Sequence, residues 1–353
     1  MTRIFALPIC ILLIFILFQL DRKNIEGVSR AVWIPFVWMF LAGSRYVSAW
    51  LNLGAPITSA ESYLEGSPVD GAVFLFLTIA GAMVVIRRRF RVGELFGQNI
   101  WMVMFFIFAA LSFIWSEYPF VSMKRWVKGF GNVVMALVIL GEQRPYEALG
   151  VLLRRLSFVL LPLSVLFIRY YPELGRGYHM GTPMFTGVAM QKNGLGQICL
   201  FSGVYFSWNL LLNRNHKTDM EREPRFSMYM YIIILPMIAW LLHMANSATS
   251  TICMIIAVSF FMFCRLPVVA REPRRIITIC IACIILFGVM EYFINFSNTV
   301  IVLLGREPDL TTRVPMWSSL IDMVRNPLIG FGIGGFWAGD RHAILMEQWG
   351  VSQ

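Results

Sequence analysis

The sequence predicts an all-α protein, a polytopic integral membrane helix bundle of about ten transmembrane helices. Of its 353 residues, 58% are hydrophobic and only 14% are charged. The apolar residues fall in repeated runs of about 15 to 20 residues, the length that a helix needs to cross a bilayer. Because the runs are separated by short connections, we predict one polytopic membrane domain over residues 1–353.

The apolar runs define the spans in order. They are 4–20, 31–51, 71–86, 100–115, 126–140, 156–169, 195–212, 228–243, 250–264 and 276–293, of which the second and the fifth have the weakest pattern. The first run is too long for a signal peptide and lacks a small-residue cleavage site, so we interpret it as a retained helix. Residues from about 294 to 353 follow the last span as a large loop that carries an amphipathic helix.

Lys and Arg alternate between successive loops. Basic clusters occur at 22–30, 87–91, 144–155, 214–225 and 265–275, which all fall on one side if every run crosses the membrane. Basic loops resist translocation, so this side is predicted to be cytoplasmic and the loop after residue 293 periplasmic. The amino terminus would then be external, and a miscounted helix near the start would change the orientation of the first two spans.

The composition excludes some partners. The net charge of +10 is dispersed over loops and forms no continuous arm, so we predict no nucleic acid partner. The six cysteines lie in or beside apolar runs and are interpreted as small core residues. Cys280 and Cys283 have the spacing of half a metal site, but a second half is missing, so neither metal nor cofactor is predicted. Cations on the external side instead indicate an anionic ligand such as a phosphate.

The first polar external segment covers residues 116–128. Lys124, Arg125 and Lys128 lie here at the mouth of the fifth span. They either bind the substrate or, together with Trp126, anchor the chain at the interface.

The second segment covers residues 170–196, where glycines, prolines and aromatic residues indicate an ordered, tightly turned loop. Tyr178 offers a face on which a sugar ring can stack, and Arg176 and Lys192 offer charges for an anion. Alternatively, Asn193 caps the seventh helix and Lys192 extends along it to the interface.

The third segment predicts an amphipathic helix after Thr311 and Thr312, which are potential caps. Arg313 lies at the positive end of this helix, where an anion gains from the guanidinium and from free backbone donors, and Trp317 lies on its apolar face. The alternative is an anchor helix that binds phospholipid. The spacing of the glycines at 330–335 is similar to that of a dinucleotide-binding motif. No strand precedes them, so we reject that match.

Several spaced motifs carry a family resemblance. They are KRWVK at 124–128, GNVVMAL at 131–137, YYPELGRGY at 170–178, TG at 186–187, KNGLG at 192–196, NSATS at 246–250 and DLTTR at 309–313 before Trp317. Together they resemble the O-antigen ligase and polymerase superfamily over residues 100–353, and within it the exopolysaccharide production proteins of bacteria. The resemblance implies a multi-pass protein of the bacterial inner membrane. It also implies a glycosyltransferase that polymerises or ligates glycan units carried on undecaprenyl diphosphate at the periplasmic face.

The expected partners are therefore undecaprenyl-diphosphate-linked oligosaccharide, membrane lipids and other polysaccharide assembly or export proteins. A transferred sugar leaves behind a diphosphate whose growing charge must be stabilised, and arginines can do this without a metal. We predict Arg313 and Arg176 as the catalytic residues. The predicted substrate-binding residues are Lys192, Asn193, Lys124, Arg125, Lys128, Trp317 and Tyr178.

The chain departs from the family pattern at two positions and near its end. Thr312 replaces a glycine before the motif arginine, and Gln191 replaces a histidine, which weakens any expectation of a base there. The resembling family continues to a His-Asn motif that this sequence lacks, so we expect a truncated chain that transfers glycan poorly. His179 and His342 are the remaining histidines on the external side.

Two other classes of protein remain open. One is a transporter or flippase of a lipid-linked glycan or small solute, and the other is a structural subunit of an export assembly. Transporters tend to carry repeated halves and ionisable residues within their spans. Neither feature is evident in the sequence, whose spans are almost free of charge, and this favours chemistry at the membrane surface.

Overall fold

A computed structural model describes residues 3–21, 27–53, 67–88, 92–179, 182–212, 228–270, 272, 274–295, 299, 313–324, 326–337, 341 and 344. The helices are α1 Arg3–Asp21, α2 Trp33–Gly43, α3 Val47–Trp50, α4 Pro68–Arg87, α5 Val92–Gln98, α6 Ile100–Leu111, α7 Pro119–Leu140, α8 Pro145–Tyr170, α9 Pro172–Gly175, α10 Lys192–Leu211, α11 Met228–Ala245, α12 Ala248–Cys264, α13 Pro267–Ala270, α14 Arg274–Ile294 and α15 Arg313–Asp322. A 3-10 turn, Arg30–Val32, precedes α2. Strands β1 Arg176–His179 and β2 Thr182–Phe185 form an antiparallel hairpin in which Arg176 lies opposite Phe185.

Helix α8 is the centre of the bundle. Most of its side chains are buried, and it packs against α1, α2, α10 and α11. Beside it, α7 packs against α2 and α4. A Cβ at Gly131 of α7 would lie 2.3 Å from the Trp38 ring, and the Trp38 indole donates to Asn132 Oδ1 at 2.8 Å. Two residues of the GNVVMAL motif therefore hold α2 against α7.

The outer surface of the bundle is apolar. Four helices are long and apolar enough to cross a membrane, namely Arg3–Asp21, Pro68–Arg87, Pro145–Tyr170 and Ile276–Ile294. Shorter apolar helices are Arg30–Gly43, Ile100–Leu111, Tyr229–Ala245 and Ala248–Cys264. On α14 every side chain from 281 to 289 is exposed, which in water would be a large unfavourable patch but in lipid is a stable surface. The all-α membrane helix bundle is confirmed, whereas the number of spans stays a prediction.

The prediction of one unbroken second span over 31–51 is wrong. Helix α2 ends at Gly43, and α3 begins at Val47 after a turn. Polar groups stabilise the break, because Ser44 Oγ accepts a hydrogen bond from the Trp50 indole at 3.2 Å. Asp70, in the first turn of α4, accepts hydrogen bonds from the Ser48 amide at 2.9 Å and the Ser48 hydroxyl at 2.5 Å.

Two further helices begin earlier than predicted, because each continues past its apolar run to a proline. Helix α7 begins at Pro119 and α8 at Pro145, each with proline in the first turn, where its missing N–H costs no helical hydrogen bond. The cations at 124, 125 and 128 therefore project from a helix and not from a loop. Similarly, Gln191 and not Asn193 is the cap residue of α10, and no side-chain hydrogen bond caps that helix.

Arg154 and Arg155 were predicted to lie in a cytoplasmic loop, but both are buried within α8. Arg154 Nε donates to Asp21 Oδ1 at 2.7 Å, and its Nη1 donates to the Tyr205 hydroxyl at 2.9 Å. The Arg155 guanidinium lies 4.4 Å from the Trp33 ring centre. The bundle thus contains a buried ion pair that joins α1, α8 and α10, so the expectation of spans almost free of charge is wrong. Removing one partner of such a pair typically costs about 3 to 5 kcal/mol.

Polar contacts between connections define two ends of the bundle. At one end, which we call the Glu142 end, Glu142 accepts hydrogen bonds from the Ser29 amide and hydroxyl at 3.0 and 2.7 Å and pairs with Arg88. Burial raises the pKa of Glu142, but the hydrogen bonds from Ser29 and Arg88 outweigh it and lower the pKa overall. Three loops predicted to share the cytoplasmic side meet here.

The opposite end, which we call the Arg176 end, joins the start of α1 to the loop after α8. Arg3 pairs with Glu173 at 2.7 Å, and Arg45 donates to the Leu174 carbonyl. For the described loops that these contacts join, the grouping is the same as in the predicted alternation, and which group faces the periplasm stays a prediction.

Candidate functional site

The Arg176 loop is held by backbone contacts around Gly175. The Gly175 carbonyl accepts hydrogen bonds from the amides of Thr186 and Gly187 at 2.9 and 3.0 Å. Gly187 has a φ of +58°, and a Cβ there would lie 2.8 Å from Ser164 Cβ. The Val188 amide then donates to Ser164 Oγ at 3.2 Å, which seats the following residues inside the bundle. The ordered loop predicted over 170–196 is therefore built from a short helix, a hairpin and an inserted turn.

Arg176 is anchored on one side and open on the other. Its Nε and Nη2 donate to the Ile168 carbonyl at 3.4 and 3.2 Å, and its guanidinium lies 5.4 Å from the Phe185 ring centre. A guanidinium has five N–H donors, so after these two bonds, counted over the part of the chain that the structure describes, three remain for a ligand. Because the residue is exposed, an anion can reach these donors.

Arg45 is a candidate site residue that the sequence analysis missed. It lies in the turn between α2 and α3 and donates through Nη2 to the Leu174 carbonyl, two residues before Arg176. Burial lowers the pKa of Arg45, and its Nε has no hydrogen-bonding partner among the described residues. Gly43 and Ser44, which interrupt the apolar run just before an arginine, were the local signal for this position.

Lys128 lies beside the same turn. Its ammonium donates to the Tyr46 hydroxyl at 2.8 Å and lies 4.4 and 4.9 Å from the ring centres of Tyr46 and Phe74. Through Tyr46 and Arg45, the first and second predicted segments are therefore brought together. Lys124 lies 4.5 Å from the Phe120 ring centre in the first turns of α7.

Helices α10 and α12 both begin at the Arg176 end and touch there. A Cβ at Gly196 of α10 would lie 2.6 Å from Ser250 Oγ of α12, and the Ser247 hydroxyl donates to Asn193 Oδ1 at 3.4 Å. Neither helix has a side-chain hydrogen bond at its cap. Two helix N-termini with free backbone donors therefore lie side by side, with Lys192 in the first turn, and this arrangement favours an anion.

The other predicted site residues are placed differently. Arg125 donates through Nη1 to the Gly334 carbonyl at 2.6 Å and so contacts the segment after α15. Tyr178 and Trp317 are 77% and 49% exposed, so both can contact a large ligand. Arg313 is the first residue of α15, but its side chain lies outside the described part of the structure, as do the side chain of His179 and the whole of His342.

The Arg176 end is strongly positive. Its described cations are Arg3, Arg45, Lys124, Arg125, Lys128, Arg169, Arg176, Lys192 and Arg341, and its described carboxylates are Asp70, Glu117, Glu173, Glu291 and Asp322. In the part of the chain that the structure describes, no group of three His, Cys, Asp or Glu residues is placed to hold a metal ion. Positive charge with few compensating carboxylates suits a ligand that carries several negative charges, such as a diphosphate.

The orientation of the two ends can be tested by cysteine labelling. Met190, at the Arg176 end, is 62% exposed, and Tyr146, at the Glu142 end, is 86% exposed. We expect Met190→Cys, but not Tyr146→Cys, to react with a membrane-impermeant thiol reagent in spheroplasts. The basic clusters at 22–30, 87–91, 214–225 and 265–275 belong to loops on the Tyr146 side of the predicted topology, and such loops stay in the cytoplasm. Permeabilised cells, in which both should react, are the control. The reverse pattern would place the Arg176 end in the cytoplasm.

One curated protein with a similar sequence is the exopolysaccharide production protein ExoQ of Rhizobium meliloti (strain 1021). The two chains are 24% identical over 260 residues, which is 72% of this chain and 56% of that protein. This chain therefore spans about half the length of the relative it matches, at 56%. No family model and no solved structure matches the chain. The expected similarity to exopolysaccharide production proteins is confirmed at this distance, and membership of the O-antigen ligase superfamily stays a prediction.

Proposed function

We propose that this protein takes part in exopolysaccharide production by transferring glycan units from undecaprenyl diphosphate to an acceptor glycan at the Arg176 end. The observation that carries the proposal is the concentration of exposed cations at one end of an apolar bundle that is similar to ExoQ. A lipid-linked diphosphate has its charge at the membrane surface and its hydrocarbon in the bilayer. That division matches a cationic end on an apolar bundle.

The proposed reaction is a displacement at the anomeric carbon. An acceptor hydroxyl oxygen forms a bond to that carbon, the bond from the carbon to the phosphate oxygen breaks, and the diphosphate leaves with the electron pair. The proton of the acceptor hydroxyl passes to the leaving diphosphate, whose oxygen gains the electron pair, so the step balances with the substrates alone. Arg176 and Arg313 would stabilise the charge that grows on the leaving diphosphate, because donors fixed in advance act most strongly where charge develops.

The neighbouring residues have supporting roles in this proposal. Lys192 and the two helix N-termini would hold the second phosphate, and Lys128 and Lys124 would raise the local concentration of the anionic substrate. Tyr178, Asn193 and Trp317 would contact the sugars, since an exposed aromatic face or amide suits a polyhydroxylated ring. Undecaprenyl-diphosphate oligosaccharide is thus the proposed substrate.

The alternative that the protein is a transporter must be weighed again, because charged residues lie inside the bundle after all. The ion pair of Asp21 and Arg154 is buried between helices, as ionisable groups in transporters often are. However, this pair also binds Tyr205 and joins three helices, which is sufficient to explain it as a structural contact. The cations at the Arg176 end favour transfer.

The deciding experiment compares glycans in a deletion strain with and without this chain. If the chain is a polymerase, the deletion strain should accumulate short lipid-linked units at the periplasmic face and lose long secreted polymer. A ligase predicts normal chain length with loss of surface attachment. Units trapped at the cytoplasmic face would identify a flippase, and unchanged glycans would contradict the proposal.

A further inference from the structure

The glycine-rich segment after α15 is docked on the connection between α6 and α7. We call residues 326–337 the clasp. The Trp115 indole donates to the Ile329 carbonyl at 3.1 Å, and the Ile333 amide donates to Ser112 Oγ at 3.0 Å. Arg125 Nη1 donates to the Gly334 carbonyl at 2.6 Å. Three hydrogen bonds therefore join residues that are more than 200 positions apart in the chain.

Two glycines of the clasp are required by this docking. Gly332 and Gly334 have φ of +81° and +71°, and Cβ atoms there would lie 2.8 Å from Ser116 Cβ and 2.3 Å from Arg125 Cδ. Gly330 also has a positive φ, of +62°, but a Cβ there would meet nothing within 4 Å. Close approach to the α6–α7 connection explains glycine at 332 and close approach to Arg125 of α7 explains it at 334, whereas Gly330 needs only its backbone conformation.

An ion pair closes the clasp beyond its last residue. Arg341 Nη2 lies 2.6 Å from Glu117 Oε2, and the guanidinium of Arg341 lies 4.2 Å from the Phe331 ring centre. The side chain of Arg341 is 15% exposed and that of Glu117 is 39% exposed, so water reaches one partner of this pair and the pair by itself adds little stability. The α6–α7 connection therefore contacts the clasp backbone through the side chains of Trp115 and Ser112, and it contacts Arg341, just after the clasp, through the Glu117 carboxylate.

We propose that the clasp positions α15, and with it Arg313, near the first turns of α7, and that Arg125 is a positioning residue of this clasp. The role of Arg313 rests on the proposed function, whereas the docking does not. The clasp begins four residues after Asp322, the last residue of α15, so its docking limits where the whole helix can lie. Arg125 acts through its bond to Gly334 and does not contact the diphosphate.

Distance measurement tests the docking independently of activity. Spin labels are attached to cysteines that replace Phe120, in the first turn of α7, and Ile321, on α15, which are 63% and 70% exposed. The native cysteines are replaced in this background. The parent should give one narrow distance distribution, and Gly330→Ala, which introduces the same positive-φ strain as Gly334→Ala but no steric overlap, should stay close to it. Gly334→Ala and Arg125→Ala should each broaden it, since one adds a clash and the other removes the hydrogen bond.

Glycan transfer is measured on the same variants without labels. Gly334→Ala and Arg125→Ala should each lower transfer by about tenfold, and the double variant by no more than that, because residues that share one contact are not additive. Gly330→Ala should retain transfer. A narrow distribution in all variants overturns the clasp, as does a loss of transfer in Arg125→Ala with the distances unchanged. Broadened distances in a protein without any transfer activity leave the clasp intact and contradict the proposed function instead.

Discussion

Arg176→Ala should lower glycan transfer by about 100-fold to 1000-fold, the loss typical when one preorganised donor to a developing negative charge is removed. Three guanidinium N–H groups of Arg176 remain after its two bonds to Ile168, and these are the donors that the variant loses. Arg313→Ala is expected to have the same effect. The amount of protein in the membrane should change little, because the Arg176 side chain is exposed.

Arg176→Lys should restore little of the activity. A lysine ammonium is a point charge on a flexible stem, so it cannot hold the Ile168 carbonyl and a phosphate oxygen in the fixed directions of a guanidinium. Transfer is measured with membranes and undecaprenyl-diphosphate oligosaccharide. The control is Arg144→Ala, which removes an exposed arginine from the Glu142 end, where Arg144 pairs with Glu147 at 3.1 Å. Full transfer by Arg176→Ala at normal abundance would exclude a role for this residue.

Hydrophobic runs predicted most of the helices because a membrane helix is determined by its own composition. Spans such as 4–20 and 276–293 correspond to α1 and α14 within a few residues. The predicted helix boundaries are wrong where a helix continues through polar residues. Arg154 was assigned to a loop because it is charged, but in the fold its charge is compensated by Asp21, which lies 133 positions away. A pattern taken over neighbouring residues cannot show that such a distant partner compensates the charge.

The sequence could predict those parts of the site that depend on neighbouring residues in the chain. The composition of residues 170–196 indicated an ordered loop that presents Arg176, and this is confirmed, although the contact of the Arg176 guanidinium with Ile168 requires the fold. Arg45 was missed because it lies within a run that was interpreted as one span. The clasp glycines were considered as a dinucleotide motif and rejected, and their docking on Ser112 and Arg125 was missed because it depends on contacts distant in sequence.

Gly175→Ala should reduce transfer by about a hundredfold, the effect that a displacement of about 1 Å at a reacting group can produce. A Cβ at Gly175 would lie 2.3 Å from the Phe167 carbonyl carbon and 2.4 Å from the Ile168 nitrogen, and both are backbone atoms of α8. A side-chain rotation cannot relieve this overlap, so the chain on one side must move. The same peptide carries the carbonyl group that receives the hydrogen bonds of Thr186 and Gly187.

Gly177 provides the matched control on the other side of Arg176. A Cβ at Gly177 would lie 3.5 Å from Met184 Cε and from Thr186 Cγ2, which is ordinary van der Waals contact. We therefore expect Gly177→Ala to transfer glycan almost as the parent does, with both variants compared at equal abundance in the membrane. Equal activities of the two variants would show that the position of Arg176 does not depend on the approach of Gly175 to α8. A selective loss in Gly175→Ala, in contrast, would connect a backbone contact of α8 to the chemistry at the membrane surface, because Gly175 has no side chain with which to bind substrate.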